Sequence, residues 1–174
     1  SYLNQDIFDT YRNSFFLVHR TGEGTSGRWG LILALDLELY DYREDSRTLV
    51  RATEGTILSR IPPRKLIRKD APLELPHILV LVNDENKLLI EPLVQQRTSL
   101  EPVYDTELME GGGHISAWRI SSEALFGQIA QAFESLHGSL DPANPLLFAM
   151  GDGNHSLATA KSCWEDIKAT IPSS

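Results

Sequence analysis

Cysteine is nearly absent. Cys163 is the single one among 174 residues, so no internal disulfide can staple the fold, and one thiol fits a reducing compartment. Long apolar runs are also missing. None approaches the roughly 20 residues of a membrane-spanning helix, and no charged leader followed by an apolar segment opens the chain. A cytoplasmic location without a membrane partner is therefore expected. Positive charge is in deficit: 16 Lys and Arg against 24 Asp and Glu give a net charge of −8. That balance excludes general attraction to a phosphate backbone as the main activity, and no helix-turn-helix signature points to DNA. Internal repeats and low-complexity tracts are absent as well.

The remainder is ordinary for a globular protein, with 41% hydrophobic and 23% charged residues. The length suits one domain or two small ones, and is enough to bury a substantial core. We read residues 1–174 as a single α+β domain. The chain opens without methionine and stops in Ile171-Pro172-Ser173-Ser174, so it is expected to be a piece of a longer protein.

The stretch that organises this reading runs from Leu146 to Ala169. Leu146 to Met150 form a short apolar run suited to a strand covered on both faces. Leu157, Ala160, Trp164 and Ile167 then recur at helical spacing. Between them lie Gly151, Asp152, Gly153, Asn154 and His155. Glycine permits positive φ and close approach of a ligand to the backbone, and the first N–H groups of the following helix form an anion site strengthened by the helix dipole. Asp152 and His155 add a carboxylate and an imidazole. Plain capping by Asp152 or Asn154 uses the same residue types.

Earlier in the chain, Asn4–Tyr11 reads as a short helix and Phe15–Val18 as a strand. Gly22 to Gly27 match the G-x-G-x-x-G spacing of a dinucleotide loop, but that fingerprint requires a helix next. Here Trp29–Tyr40 reads as a strand, so the glycines are assigned to a hairpin. A polar turn, 41–47, follows. Residues 49–77 then gather six permanent cations, Arg51, Arg60, Arg64, Lys65, Arg68 and Lys69, and one histidine, His77. Thr53, Glu54, Gly55 and Thr56 form a polar knot before a helix that Pro62 and Pro63 interrupt or restart. Arg64 and Arg68 share a face. Their guanidinium forks suit phosphate or carboxylate, while a solvated basic helix is the plainer account. Ile78–Val82 reads as a buried strand, and 84–96 as a helix weakened by Pro92. Strands at 102–108 and 114–120 are joined through Met109, Glu110 and Gly111 to Gly113. A helix capped by Ser121 or Ser122 runs to Leu136 and ends at Gly138. Hairpins early and late with helices between them predict an α+β fold with a mixed sheet, not a doubly wound one.

At MGDGNHSLATAK, together with RATEGTILSRIPPRKLIR and ELPHILVLVND, the chain resembles the DUF1015 family of bacterial and archaeal proteins of unknown function. The resemblance spans Trp29 to Lys161. Family members are usually longer. More distantly, the aspartate-glycine-x-histidine turn resembles the phosphate-binding turn of the ParB/sulfiredoxin-like fold, which includes nucleotide-binding proteins and a free-serine kinase. That resemblance implies such a fold with inserted elements. In the kinase an upstream acid with an arginine six residues later supplies a catalytic carboxylate, and Glu54 followed by Arg60 keeps that spacing. It implies Glu54 as general base and Asp152, Gly153 and His155 as phosphate holders. Asn154 and Ser156 replace a histidine and an arginine of that turn, so Arg60, Arg64 or Arg68 must take over the lost fork, or phosphate binding is weakened.

Three readings follow. In the first, the chain is a small-molecule phosphotransferase or nucleotide hydrolase. Glu54 and His155 are catalytic; Arg51, Thr53, Thr56, Arg60, Arg64, Arg68, Asp152, Gly153, Asn154 and Ser156 bind substrate or phosphate; and Asp152 meets a magnesium ion carried by the nucleotide. The second is a non-catalytic module that senses a nucleotide or an acidic metabolite. The third, metal-dependent hydrolysis through His77, His114, His155 and Asp152, has no ligand spacing behind it. The partner expected under the first two is a nucleotide or a small phosphorylated ligand, with the oligomeric state left open.

Overall fold

The computed structural model describes residues 2–75 and 78–172. In chain order its elements are β1 (Phe15–Thr21), β2 (Arg28–Ile32), β3 (Tyr40–Asp41), β4 (Val50–Arg51), α1 (Ile61–Arg68), β5 (Leu79–Val82), α2 (Ile90–Gln95), β6 (Glu101–Glu107), β7 (His114–Ile120), α3 (Glu123–Gly138), β8 (Phe148–Asp152) and α4 (Asn154–Lys168). The class is α+β, with two four-stranded sheets. The chain divides into two compact units, one of residues 1–34 and 86–134, the other of 35–85 and 135–174.

The first unit is built on an antiparallel sheet in the order β2-β1-β7-β6. Leu17 lies opposite Leu31 on one side and Trp118 on the other, so these side chains share one face. Leu17 and Ile120 on that face are fully buried. Phe126 of α3 meets Phe15 edge-on, with ring centroids 5.4 Å apart, and α2 packs on β2. The β1–β2 loop is the hairpin that Gly22 to Gly27 predict. Ser122 accepts the Leu125 N–H at 3.3 Å and so caps α3.

The second unit carries a mixed sheet in the order β3-β4-β8-β5. β3 and β4 are parallel, β4 and β8 are parallel, and β5 runs antiparallel to β8. β8 is thus an inner strand, but it is not the Leu146–Met150 strand covered on both faces that the apolar run predicts: it runs from Phe148 through Gly151 and Asp152, and Met150 alone of its residues is buried. Tyr40, Val50, Met150 and Leu157 form the core, with Phe148 and Val80 packed against it. Burial pushes the Tyr40 phenol far above its usual range.

Four expected elements differ. The strand expected to be buried at 78–82 is β5, at the edge of its sheet, where Leu81 is 54% exposed. No helix forms over Asn4–Tyr11: a 3-10 turn covers Tyr2–Asn4, and Asp6 at φ 52° lies in the left-handed region, which a right-handed helix cannot contain. Tyr11 instead packs edge-on against Phe16 and under the Arg119 guanidinium. The strand over Trp29–Tyr40 is two strands in two sheets. Asp36 Oδ1 takes the Glu38 N–H at 2.9 Å, which diverts the backbone from ladder pairing into a 3-10 turn over Leu37–Leu39. The helix over 84–96 shrinks to Ile90–Gln95, because Lys87 sits at φ 56°. Pro62 and Pro63, by contrast, fall in the first turn of α1, where a missing N–H costs no helical bond.

Candidate functional site

β4 and β8 run parallel, with Val50 opposite Phe148 and Arg51 opposite Ala149. Adjacent parallel strands release their carboxyl ends on one side, so the loop after β4 and the turn after β8 emerge together. Such an edge is where open α/β sheets place ligands.

Three hydrogen bonds join the two segments. The Thr53 hydroxyl donates to the carbonyl of Met150, midway along β8. The Asn154 amide donates from Nδ2 to Glu54 Oε1 at 3.3 Å. The Ile57 N–H donates to Nε2 of His155 at 3.1 Å. Glu54 and His155 therefore flank one helix start, although 101 positions separate them in the chain.

The turn itself depends on Gly153. It forms the N-cap of α4 at φ 88°, and no side chain caps the helix. Asp152 Oδ1 accepts the Gly153 N–H at 2.7 Å, which fixes the turn, not the helix end. The first intrahelical bond runs from Leu157 N–H to the Gly153 carbonyl at 3.0 Å, so the N–H groups of Asn154, His155 and Ser156 precede the ladder. They form the positive end of a helix of 15 residues.

The bond to Ile57 decides the state of His155. A backbone N–H can only donate, so Nε2 must carry a lone pair, and the neutral ring bears its proton on Nδ1. While that bond holds, His155 offers one donor and no free base. Asn154 is 4% exposed. Its Oδ1 and the Thr56 hydroxyl oxygen are buried and find no hydrogen-bond partner among the described residues. Unmatched buried polar atoms are costly.

The predicted arginines separate. Arg51 donates to Asn144 Oδ1 at 2.8 Å and to the Pro145 carbonyl at 3.0 Å. These partners precede β8, so the guanidinium braces the end of the sheet away from the turn. Arg68 pairs with Glu74 at 2.5 Å, and Lys65 with Asp166 of α4 at 2.6 Å. Arg64 donates to the Arg60 carbonyl. Arg60 is exposed, and neither it nor Arg64 forms an ion pair among the described residues. His77 lies outside the described residues. His114 belongs to the other unit, where Glu107 and Asp105 hold its two ring nitrogens. Glu107, then Asp105, raise its pKa above the usual histidine range. No group of three or more His, Cys, Asp and Glu among the described residues is arranged to hold a metal ion.

A family model described as protein of unknown function (DUF1015) matches residues 1–173. The chain belongs to the DUF1015 family. Neither a curated protein nor a solved structure matches it. In this DUF1015 chain no helix among the described residues is long and apolar enough to cross a membrane.

One cluster of this DUF1015 unit left no signal in the sequence. Glu38 receives the Trp164 Nε1–H at 2.7 Å and Lys168 at 2.8 Å, with Lys161 at 3.4 Å. These partners lie more than a hundred positions away, so spacing could not pair them. The Lys168 hydrogen bond first, and that of Trp164 next, hold the Glu38 carboxyl at about 2, below its ordinary 4.5. A depressed acid contributes stability that is present above the unfolded value and lost as pH falls through the folded one. Acid unfolding of the second unit should therefore draw on Glu38 between about pH 4.5 and pH 2. Glu38→Gln is expected to flatten that limb in a circular-dichroism titration, and an unchanged limb would assign the acid sensitivity elsewhere.

Proposed function

We propose that the edge formed by residues 53–57 and 152–156 binds the phosphate of a nucleotide or a phosphorylated small metabolite. We further propose that the chain acts there as a small-molecule phosphotransferase. The observation that carries the reading is the Glu54–Asn154 contact at the open start of α4. It sets a carboxylate beside helix amides that precede the intrahelical ladder.

Phosphoryl transfer requires positive groups around the moving phosphoryl, a fixed geometry and an acceptor for the hydroxyl proton. The amides of 154–156, the Nδ1–H of His155 and the exposed Arg60 would hold the phosphate oxygens. Glu54 would take the proton as the substrate oxygen bonds to phosphorus and the leaving oxygen departs. His155, with Nε2 committed to Ile57, serves as a holder and not as the base. A magnesium ion arriving with the nucleotide would meet Asp152, since such ions need only one or two protein carboxylates. The sequence resemblance of the Asp152–His155 turn to the phosphate-binding turn of ParB/sulfiredoxin-like nucleotide-binding proteins motivates the same reading.

The buried, unmatched Asn154 Oδ1 and Thr56 hydroxyl favour a second reading, a sensing module that binds the same ligands without turnover. Both readings predict stabilisation by mass action, worth about 2.7 kcal/mol at a ligand concentration 100 times Kd. A thermal-shift screen with ADP, ATP, CTP, inorganic phosphate and small amino acids tests this. A rise in Tm with a nucleotide or phosphate is expected, and no response to any of them would contradict both readings.

A further inference from the structure

α1 is amphipathic in the inverted sense. Two of its cations are engaged with the protein: Lys65 pairs with Asp166 of α4 and Arg68 with Glu74. Ile61 is the one residue of the helix that is buried. Its large aliphatic residues turn to solvent instead, Leu66 being 70% and Ile67 78% exposed. Leu58, in the 3-10 turn just before the helix, is also exposed. The Arg68–Glu74 pair ties residues 71–75 to the helix end and brings the exposed Leu73 and Leu75 with them. Large apolar residues left exposed together on and beside one short helix mark a candidate interaction site.

The rim of this surface is basic. Arg64, three positions before Ile67, is exposed and forms no ion pair among the described residues. Lys69, three after Leu66, is paired among the described residues only with the exposed Asp70 at 4.0 Å, a contact worth little in solvent. The basic rim stands out on a chain whose net charge is −8.

We infer that this face of α1 docks an acidic amphipathic segment of a partner protein, with aliphatic anchors over Leu58, Leu66 and Ile67 and carboxylates against Arg64 and Lys69. Charge selects that occupant. A symmetric dimer through the same face would bring two copies of the basic rim into one interface. An anionic bilayer fits less well, because the face carries no tryptophan or tyrosine of the kind that anchors at a membrane interface. The inference is independent of the phosphate reading, because it uses neither Glu54 nor the start of α4.

The test is selection of a random peptide display library against the whole chain. The Leu66→Ser/Ile67→Ser variant serves as counter-target, its fold checked by an unchanged melting curve. Enriched peptides should combine Asp and Glu with Leu, Ile or Phe. They should bind the variant roughly tenfold more weakly or worse, as expected for loss of central anchors. The charge-reversed Arg64→Glu/Lys69→Glu variant should select basic peptides in place of acidic ones. Peptides without an acidic excess, equal binding to the serine variant, or no enrichment at all would overturn the inference. So would sedimentation with phosphatidylserine vesicles, or self-association in the ultracentrifuge, that the serine variant abolishes.

Discussion

Glu54→Gln is expected to leave a bound nucleotide in place and to lower turnover by roughly 100- to 10,000-fold, the range that a general base supplies. Glutamine keeps the volume of the side chain and an oxygen that can still accept from Asn154 Nδ2, as Glu54 Oε1 does at 3.3 Å. The Thr53–Met150 and Ile57–His155 bonds do not involve the carboxylate, so the loop stays on the turn. What is lost is the proton acceptor. Parallel calorimetry and steady-state rates on wild type and variant measure the two effects separately. A variant as active as wild type would remove Glu54 from the chemistry. If wild type binds a nucleotide and never turns it over, while the variant binds equally well, the sensing reading stands in place of the enzymatic one.

Gly113→Ala is expected to unfold the first unit, at a cost of about 4 kcal/mol from steric conflict and strain combined. Gly113 sits at φ +89°, and an ideal Cβ placed there would lie 1.9 Å from the Thr21 carbonyl oxygen and 2.8 Å from the Cα of Gly22. These are backbone atoms of the β1–β2 hairpin, held by the pairing of Thr21 with His114, so no rotamer change relieves the contact. Gly24→Ala is the control. It has a similar φ, +69°, with nothing within 4 Å of its Cβ, and should cost only about 1 kcal/mol. Amide exchange across β1 and β7 reads the outcome. Equal protection in both variants would show that the β7 start can move away from Thr21.

Local chemistry was legible in the sequence wherever one segment determines its own structure. The second half of the apolar run, Phe148 to Met150, opened β8, the spacing of Leu157, Ala160 and Trp164 became α4, and Pro62 and Pro63 marked the first turn of α1. The hairpins at 22–27 and 108–113 were readable because their glycines lie between alternating strands. Errors arose where a single side chain or dihedral overrides periodicity. Asp36 divides the run from Trp29 to Tyr40 between two sheets, and the left-handed Asp6 prevents the helix that Ile7, Phe8 and Tyr11 suggest.

The candidate site was legible only in part, for a related reason. That Glu54 and His155 adjoin the same helix start follows from the parallel register of β4 on β8, a pairing nearly a hundred positions long that no local pattern encodes. The arginines show the limit more clearly. Sequence placed Arg51, Arg60, Arg64 and Arg68 in one functional set, yet the fold commits Arg51 to the loop before β8 and Arg68 to Glu74. The choice of partner for each guanidinium depends on loops remote in sequence. Likewise, the donation from Ile57 that fixes the His155 tautomer comes from a backbone amide, which has no identity that a motif could record.

The most direct measurement is an amide-resolved NMR titration of the whole chain with ADP and with inorganic phosphate. The account predicts saturable shifts at Gly153, Asn154, His155, Ser156 and Ile57, together with a change at the His155 ring nitrogens. Amides around 152–156 and 53–57 that stay unmoved while either ligand saturates another surface, or that do not respond to either ligand, would contradict it.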